Sequence, residues 1–212
     1  PESGRAWRSA FTDIGAKSDA TPWLTGVDHV SLSVPAGRWD GVLLALRSVF
    51  GMQPTEGVDL TDAMGLMHTQ VLATPDTGAG ETPLRIALTM VAAGPVEEAA
   101  PRRGGITHVA FACPDIFATA AAMSAGGYVP LPISANYYDD LAARFDLPAQ
   151  RLEAMARHGI LYDADADGEF YHLFTRTVGA DLFFEVVQRV GGYAGYGDVN
   201  AAVRLAAQLR AD

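Results

Sequence analysis

Residues 26–35 read GVDHVSLSVP, and residues 105–114 read GITHVAFACP. Glycine, histidine, valine and proline recur at the same positions of the two segments, which are offset by 79 residues. Each segment is followed by a run typical of a helix, at residues 38–50 and 115–126. A repeated strand and helix predicts two copies of one module rather than a solenoid, which would need a third copy.

Strand-like runs follow both helices. In the first half they are residues 65–75 and 84–92, separated by the turn-rich PDTGAGETP. In the second half they are residues 159–164, 168–178 and 181–190, with DADADG and VGAD as hairpin turns. The predicted module is therefore one strand, one helix and three further strands.

We predict an α+β fold in which the two modules form one curled mixed sheet. Module 1 spans residues 25–100, module 2 spans 104–192, and a C-terminal helix covers 198–210. Module 2 carries an insertion at roughly 134–158 that is typical of two short helices, the second beginning near a proline and ending before a glycine. Residues 1–24 show no clean period. Because the chain starts with proline rather than methionine, we expect them to be a linker or arm from a preceding domain.

Composition excludes several classes of protein. The chain has 212 residues, 49% hydrophobic and 19% charged, so disorder is not expected. No apolar run approaches the roughly 20 residues that span a bilayer, and no signal peptide is recognisable. The net charge of −10 disfavours nucleic acid and anionic membrane surfaces as partners. A small-molecule substrate is the expected partner, and a homo-oligomer stays open.

The single cysteine, Cys113, cannot form an internal disulfide and indicates a reducing, cytoplasmic setting. A thiolate zinc site needs several cysteines and is excluded. Any metal site must therefore use histidine, aspartate or glutamate.

Three residues are candidate metal ligands. Glu185 lies within LFFEVV, the most apolar strand, where a buried carboxylate needs a partner unless the strand is an edge that faces water. His29 and His108 occupy the same position of the repeat, so a pseudo-twofold axis would bring both to one centre. Two imidazoles and one carboxylate form the facial triad of non-haem iron(II) proteins. This ligand set favours divalent first-row metals without choosing among iron, manganese, cobalt and zinc.

The remaining histidines are weaker candidates. His158 falls at a helix end, where a cationic side chain is favourable, so we expect a structural role. His68 lies in a strand of module 1. His172 either points at the same centre or occupies a surface position on an alternating strand.

The duplicated G-x-x-H-V units resemble the vicinal oxygen chelate superfamily. Module 2 is similar to the C-terminal domain of 4-hydroxyphenylpyruvate dioxygenases, with FFE-x-x-QR and GYG-x-x-N in the family's order. SANYYDDLAARFDL and LYDADADGEFYHLFTRTVG look more like the C-terminal part of bacterial two-domain 3-dehydroshikimate dehydratases of quinate and shikimate catabolism. The resemblance implies the glyoxalase/bleomycin-resistance/dioxygenase-like fold and the ligands named above, with Fe(II) as the favoured ion and Mg, Mn, Co or Zn as alternatives. It also implies an N-terminal dehydratase barrel that this chain does not contain.

The residues around the expected substrate depart from the dioxygenase pattern. Thr107 and His172 stand where the family has glutamine, Thr89 where it has asparagine, and Thr69 where it has serine. Because a site that hydrogen-bonds a substrate group discriminates strongly, the loss of these amides should change the substrate or abolish turnover. The expected substrate-binding group is completed by Phe174, Tyr196 and Asn200, beside the aromatic wall of Phe183.

Three functions follow from these patterns. The first is an Fe(II) oxygenase that oxidatively decarboxylates a 2-oxo acid or acts on a related aromatic substrate. The second is an accessory metal-binding domain of a 3-dehydroshikimate dehydratase, with little or no oxygenase turnover. The third is extradiol cleavage of a catechol, which needs an additional acid–base histidine that only His172 or His68 could supply.

Overall fold

The computed structural model describes most of the chain, namely residues 12, 23–62, 65–75, 83–91, 104–179 and 182–211. The expected linker, residues 1–24, lies outside the described residues except for Thr12, Trp23 and Leu24.

The described residues form eight strands and five α-helices. The strands are Gly26–Ser33 (β1), Gln53–Asp62 (β2), Gly65–Ala73 (β3), Arg85–Val91 (β4), Gly105–Ala112 (β5), Leu161–Ala164 (β6), Gly168–Phe174 (β7) and Phe183–Gly191 (β8). The helices are Trp39–Phe50 (α1), Ile116–Ala125 (α2), Ala135–Arg144 (α3), Ala149–His158 (α4) and Ala201–Ala211 (α5).

All eight strands belong to one mixed sheet, in the order β2-β3-β4-β1-β5-β8-β7-β6. β1 and β5 pair antiparallel at its middle, and each is parallel to the last strand of its own module, β4 or β8. The sheet order is therefore symmetric about the β1–β5 seam. The predicted α+β fold of two strand–helix–three-strand modules with a C-terminal helix is confirmed.

The strand β2 of module 1 is not among the strand-like runs predicted from the sequence. β2 has the sequence QPTEGVDLTD, whose proline, glycine and acidic residues hide the alternation of a strand. It is an edge strand that pairs only with β3, so few of its positions need to be apolar. In module 2 the strand predicted at 168–178 ends at Phe174, and residues 180 and 181 of the predicted second hairpin turn lie outside the described residues.

The β1–β5 pairing contains two register shifts. One leaves Asp28 without a partner across the seam, and the other does the same for Thr107. Both residues directly precede a histidine of the repeat, His29 or His108. A bulge bends its strand and re-aims the neighbouring side chains, and bulges are common next to functional sites.

The larger apolar core lies in module 2. Tyr137 and Leu141 of α3 and Met155 of α4 pack in the same cluster as Phe174 and Phe183, so the insertion completes this core. A smaller cluster in module 1 includes Met52, Leu72 and Leu88 and packs against α1, and a third includes Ala110, Phe170 and Val187. Among the described helices, none combines the length and apolar character needed to cross a bilayer.

Candidate metal centre

Three side chains from the two central strands and β8 converge on the inner face of the sheet. His29 Nε2 lies 3.2 Å from His108 Nε2 and 3.3 Å from Glu185 Oε2, and His108 Nε2 lies 3.4 Å from Glu185 Oε2. Ala110 pairs with His29 on one side and with Glu185 on the other. Because its side chain is only a methyl group, the imidazole and the carboxylate can meet above it.

The separations match what one metal ion requires. Donor atoms 2.0–2.2 Å from a shared ion, at angles between octahedral and tetrahedral, lie about 2.8–3.6 Å apart. All three measured separations fall inside that range. Within the part of the chain that the structure describes, these residues are the one group of three or more His, Cys, Asp or Glu side chains placed to share an ion. The donors therefore fit a divalent first-row metal.

Glu185 is held by a chain of buried hydrogen bonds. Its Oε1 accepts from His172 Nδ1 at 2.8 Å, and His172 Nε2 accepts from Asn200 Nδ2 at 3.0 Å. Both ring nitrogens of His172 are thus engaged, with Nδ1 as the donor and Nε2 as the acceptor. Oε1 of the carboxylate is therefore hydrogen-bonded to His172, while Oε2 points to the imidazoles of His29 and His108.

The series of hydrogen bonds continues from Asn200 to the helices of the insertion. Tyr137 on α3 lies 3.0 Å from Asn200 Oδ1, and its hydroxyl accepts from the backbone N–H of Tyr162 at 2.8 Å. Asn200 Nδ2 also donates to the carbonyl of Tyr162 at 3.0 Å. The α3 insertion therefore fixes the orientation of Asn200, and through His172 that of Glu185.

Gly197 makes room for His172. Its φ of 62° lies in the left-handed region, and a Cβ there would stand only 2.7 Å from Cε1 and 3.0 Å from Nε2 of the imidazole. Backbone conformation and close approach both demand glycine at this position. The GYG segment thus presses against the side chain that supports Glu185.

His29 is supported from its other nitrogen. Nδ1 donates to Asp28 Oδ1 at 2.9 Å, which leaves Nε2 as the nitrogen that faces the centre. Arg189 binds the same carboxylate with two hydrogen bonds, from Nε to Oδ2 at 2.9 Å and from Nη2 to Oδ1 at 3.0 Å. A second cation, Arg85, approaches Asp28 Oδ2 at 3.6 Å.

The two imidazoles differ in their affinity for protons. Burial alone would lower the pKa of His29, but its hydrogen bonds to Asp28 and Glu185 outweigh burial and raise the pKa to about 9. Burial lowers the pKa of His108 to about 3, against the opposing effect of Glu185. The pKa of Glu185 is held below its usual range because the hydrogen bonds from His172 and His29 overcome the cost of burial. One imidazole is therefore cationic at neutral pH when no metal is bound.

Aromatic rings surround the centre. Tyr196 meets His29 edge-on at 5.2 Å between ring centroids, and Phe183 stacks on His108 at 4.9 Å. Phe174 contacts both Phe183 and His172. The aromatic side chains expected to line a substrate site thus lie against the candidate ligands.

The threonines of the expected substrate group contact other polar groups of the sheet. Thr69 Oγ1 and Thr89 Oγ1 are 3.3 Å from each other, across the pairing of β3 with β4. Thr107 donates instead to the backbone carbonyl of Ser31 at 3.4 Å. His172 and Asn200 are brought to the centre, but both belong to the hydrogen-bond chain behind Glu185.

Neither His68 nor His158 reaches the centre. His68 points to the opposite face of β3 from the buried Thr69, where its Nδ1 donates to Asp59 at 2.6 Å and its ring contacts Trp39. His158 is the last residue of α4, as expected from the sequence.

The sequence reading missed Asp28 and Arg189. Alternation along a strand places Asp28 on the face opposite to His29, and only the bulge brings both side chains to the buried side. The available signal was an acidic residue directly before the histidine of an apolar strand. Arg189 belongs to the FFE-x-x-QR motif, but nothing in the sequence indicates which group it binds.

Known proteins resemble the chain over almost its whole length. It is 38% identical to 3-dehydroshikimate dehydratase of Pseudomonas putida, over 99% of the chain and 34% of that protein. It is 41% identical to the Pseudomonas aeruginosa protein of the same name, over 89% of the chain and 30% of that protein. The chain thus spans about a third of the length of these curated relatives. No family model matches it.

Solved structures agree with these relatives. A xylose isomerase-like TIM barrel/4-hydroxyphenylpyruvate dioxygenase fusion protein superposes with a TM-score of 0.78 at 34% identity, over 94% of this chain and 31% of that one. A mutant of 4-hydroxymandelate synthase from Streptomyces coelicolor has the same fold, with a TM-score of 0.75 at 22% identity over 92% of this chain and 56% of that one. The chain is thus similar to bacterial 3-dehydroshikimate dehydratases over about one third of their length. Together with the duplicated module, these likenesses show that it belongs to the vicinal oxygen chelate superfamily, as a 4-hydroxyphenylpyruvate dioxygenase-like member.

Proposed function

We propose that His29, His108 and Glu185 bind one divalent metal ion, with Fe(II) as the favoured ion, and that this centre serves an oxygenase reaction on a 2-oxo acid or a related aromatic substrate. The observation that carries the proposal is the mutual approach of the three donor atoms to 3.2–3.4 Å. Two imidazoles and one carboxylate are the donor set of non-haem iron(II) oxygenases.

Iron held by these three residues would supply Lewis-acid and one-electron chemistry toward O₂. In the proposed overall reaction the 2-oxo acid loses CO₂, one atom of O₂ completes the new carboxylate and the other enters the substrate. The rings of Phe174, Phe183 and Tyr196 exclude water and offer apolar contact to an aryl group. Thr69 and Thr89 are proposed as hydroxyl contacts to the substrate, in the place of the family's serine and asparagine.

Metal analysis and oxygen uptake test this proposal. Protein purified without added metal should contain one first-row ion per chain, and His108→Ala should lose it. Fe(II)-loaded protein should consume O₂ with 4-hydroxyphenylpyruvate or phenylpyruvate, and His68→Ala, altered on the opposite face of the sheet, should match the wild type. The absence of uptake with any 2-oxo acid by iron-loaded protein would overturn the oxygenase reaction.

A second function is favoured by a specific observation. Of the polar residues expected to hold substrate, His172 and Asn200 are committed to supporting Glu185, and Thr107 to the carbonyl of Ser31. The site thus maintains its ligand geometry while few polar groups remain for a substrate. This arrangement suits an accessory metal-binding domain, attached to a dehydratase barrel like the barrel of the fusion protein.

The accessory function has its own test. In a full-length relative that carries both parts, deletion of the region matching residues 25–212 should lower the stability or the dehydratase activity of the barrel, and removal of the metal should do so more weakly. An unchanged barrel after deletion would contradict the proposal. Oxygen uptake by the intact protein would decide for the first function.

Extradiol cleavage receives no support from the described residues. It calls for an acid–base histidine near the metal, but both nitrogens of His172 are hydrogen-bonded and His68 lies on the other face of the sheet. A cytoplasmic location remains part of the proposal and rests on the single free cysteine, Cys113, which is buried.

A further inference from the structure

We propose that Asp28 and Arg189 are positioning residues for the metal centre, which hold His29 in the one tautomer and orientation that can bind the ion. This inference rests on the metal centre proposed above. Asp28 contacts His29 at Nδ1 and not at the donor atom Nε2, and Arg189 contacts Asp28. Each acts through His29, from the side of the imidazole that faces away from His108 and Glu185.

The contacts of Asp28 assign each of its oxygens. Oδ1 accepts from His29 Nδ1 at 2.9 Å and from Arg189 Nη2 at 3.0 Å, while Oδ2 accepts from Arg189 Nε at 2.9 Å. Because a carboxylate only accepts, Nδ1 of His29 must carry the proton, and Nε2 is then the nitrogen available to a metal. A carboxylate behind a ligating histidine also makes that ligand more basic.

Arg189 is itself held rigidly. Its Nη1 donates to the carbonyls of Tyr193 at 3.2 Å and Gly195 at 2.6 Å, and its guanidinium lies over the rings of Phe170 at 4.8 Å and Tyr196 at 5.0 Å. A planar guanidinium fixed in this way presents two parallel donors that match one carboxylate. The pair also joins the modules, since Asp28 belongs to β1 and Arg189 to β8.

The second copy of the repeat lacks this arrangement, which indicates a specialised feature rather than a property of the module. Thr107 stands at the position of Asp28 and also follows the bulge pattern, but its hydroxyl donates to the Ser31 carbonyl. The side chain of His108 is 17% exposed, whereas that of His29 is 3% exposed. His29 is therefore the ligand whose orientation is fixed before the metal binds, and its contacts through Asp28 and Arg189 control the affinity for the metal.

Binding of Co(II), followed by calorimetry and by its visible absorption spectrum, tests the proposal. Asp28→Asn and Arg189→Met should each raise the Kd for Co(II), corrected for the proton that His29 releases on binding, about 10- to 100-fold, the usual effect of losing such a support. Arg189→Lys keeps the charge but not the parallel donors, so it should recover part of the loss. Asp59→Asn removes a similar His–Asp hydrogen bond at His68, on the opposite face of the sheet, and should leave the Kd unchanged.

A readout of the imidazole itself separates positioning from general stability. In metal-free protein labelled with ¹⁵N-histidine and held at pH 10, where His29 with its pKa of about 9 is neutral, the His29 signals should report a proton on Nδ1 in the wild type. They should report a mixture of tautomers in Arg189→Lys, which retains the buried positive charge. Wild-type affinity in Asp28→Asn and Arg189→Met, beside normal binding by the unaltered protein, would overturn the positioning role and leave the metal centre standing. No binding of Co(II) by the wild type would overturn both.

Discussion

Replacing Gly197 by alanine tests how tightly the backbone controls the support of Glu185. The new Cβ would lie 2.7 Å from Cε1 of His172, well inside van der Waals contact, so the ring must shift by roughly 1 Å. That shift breaks the 2.8 Å hydrogen bond from His172 Nδ1 to Glu185. A lost hydrogen bond to a charged group costs about 1.5–3 kcal/mol, and a left-handed φ without glycine adds about 1–2 kcal/mol.

We expect Gly197→Ala to lower the free energy of unfolding by about 2.5–5 kcal/mol in urea denaturation of the metal-free protein. Gly51→Ala is the matched control, because φ at Gly51 is 65° and a Cβ there would meet nothing within 4 Å. That control should lose only the backbone cost of about 1–2 kcal/mol. Equal losses in the two variants would refute the claim that Gly197 constrains His172.

Three further predictions concern protons, the insertion and the cysteine. Because the pKa of His29 is about 9 in the metal-free protein, its Nε2 must give up a proton to a metal at pH 7, whereas His108, with a pKa of about 3, releases none. Calorimetry in buffers of different ionisation enthalpy should therefore show about one proton released per ion, and affinity that rises about tenfold per pH unit up to pH 9. Tyr137→Phe leaves the buried N–H of Tyr162 without its partner and should cost about 1–3 kcal/mol in the free energy of unfolding. Burial raises the pKa of Cys113 to about 11, so iodoacetamide at pH 8 should alkylate it far more slowly in folded than in urea-unfolded protein.

Clear results would contradict each of these predictions. A binding enthalpy independent of the buffer would show that His29 is neutral before metal binds. An unchanged midpoint of unfolding for Tyr137→Phe would mean that the buried N–H finds water instead. Equal alkylation rates for folded and unfolded protein would show that Cys113 is accessible.

The three candidate ligands could be singled out from the sequence because their signals are local. His29 and His108 stand out through the repeat, and Glu185 through the apolar strand that surrounds it. The structure brings these three side chains together. The insertion helices were equally readable, because Pro148 and Gly159 mark the ends of α4.

The supporting contacts could not be predicted because they depend on distance along the chain and on departures from regular pairing. Asp28 and Arg189 are 161 residues apart, and the bulge at Asp28 breaks the alternation that sequence reasoning relies on. His172 could have been a surface residue, a substrate contact or a support. Only the fold, which sets Asn200 on one nitrogen and Glu185 on the other, decides for the support.

The seam between β1 and β5 gives the proposed ion a mechanical consequence. One donor comes from module 1 and two from module 2, so an ion bound by all three fastens one half of the sheet to the other. At a free concentration of one hundred times Kd, such an ion would add about 2.7 kcal/mol to the folded state. Separately expressed halves, cut between β4 and β5, should then join when the ion is supplied and part when a chelator removes it.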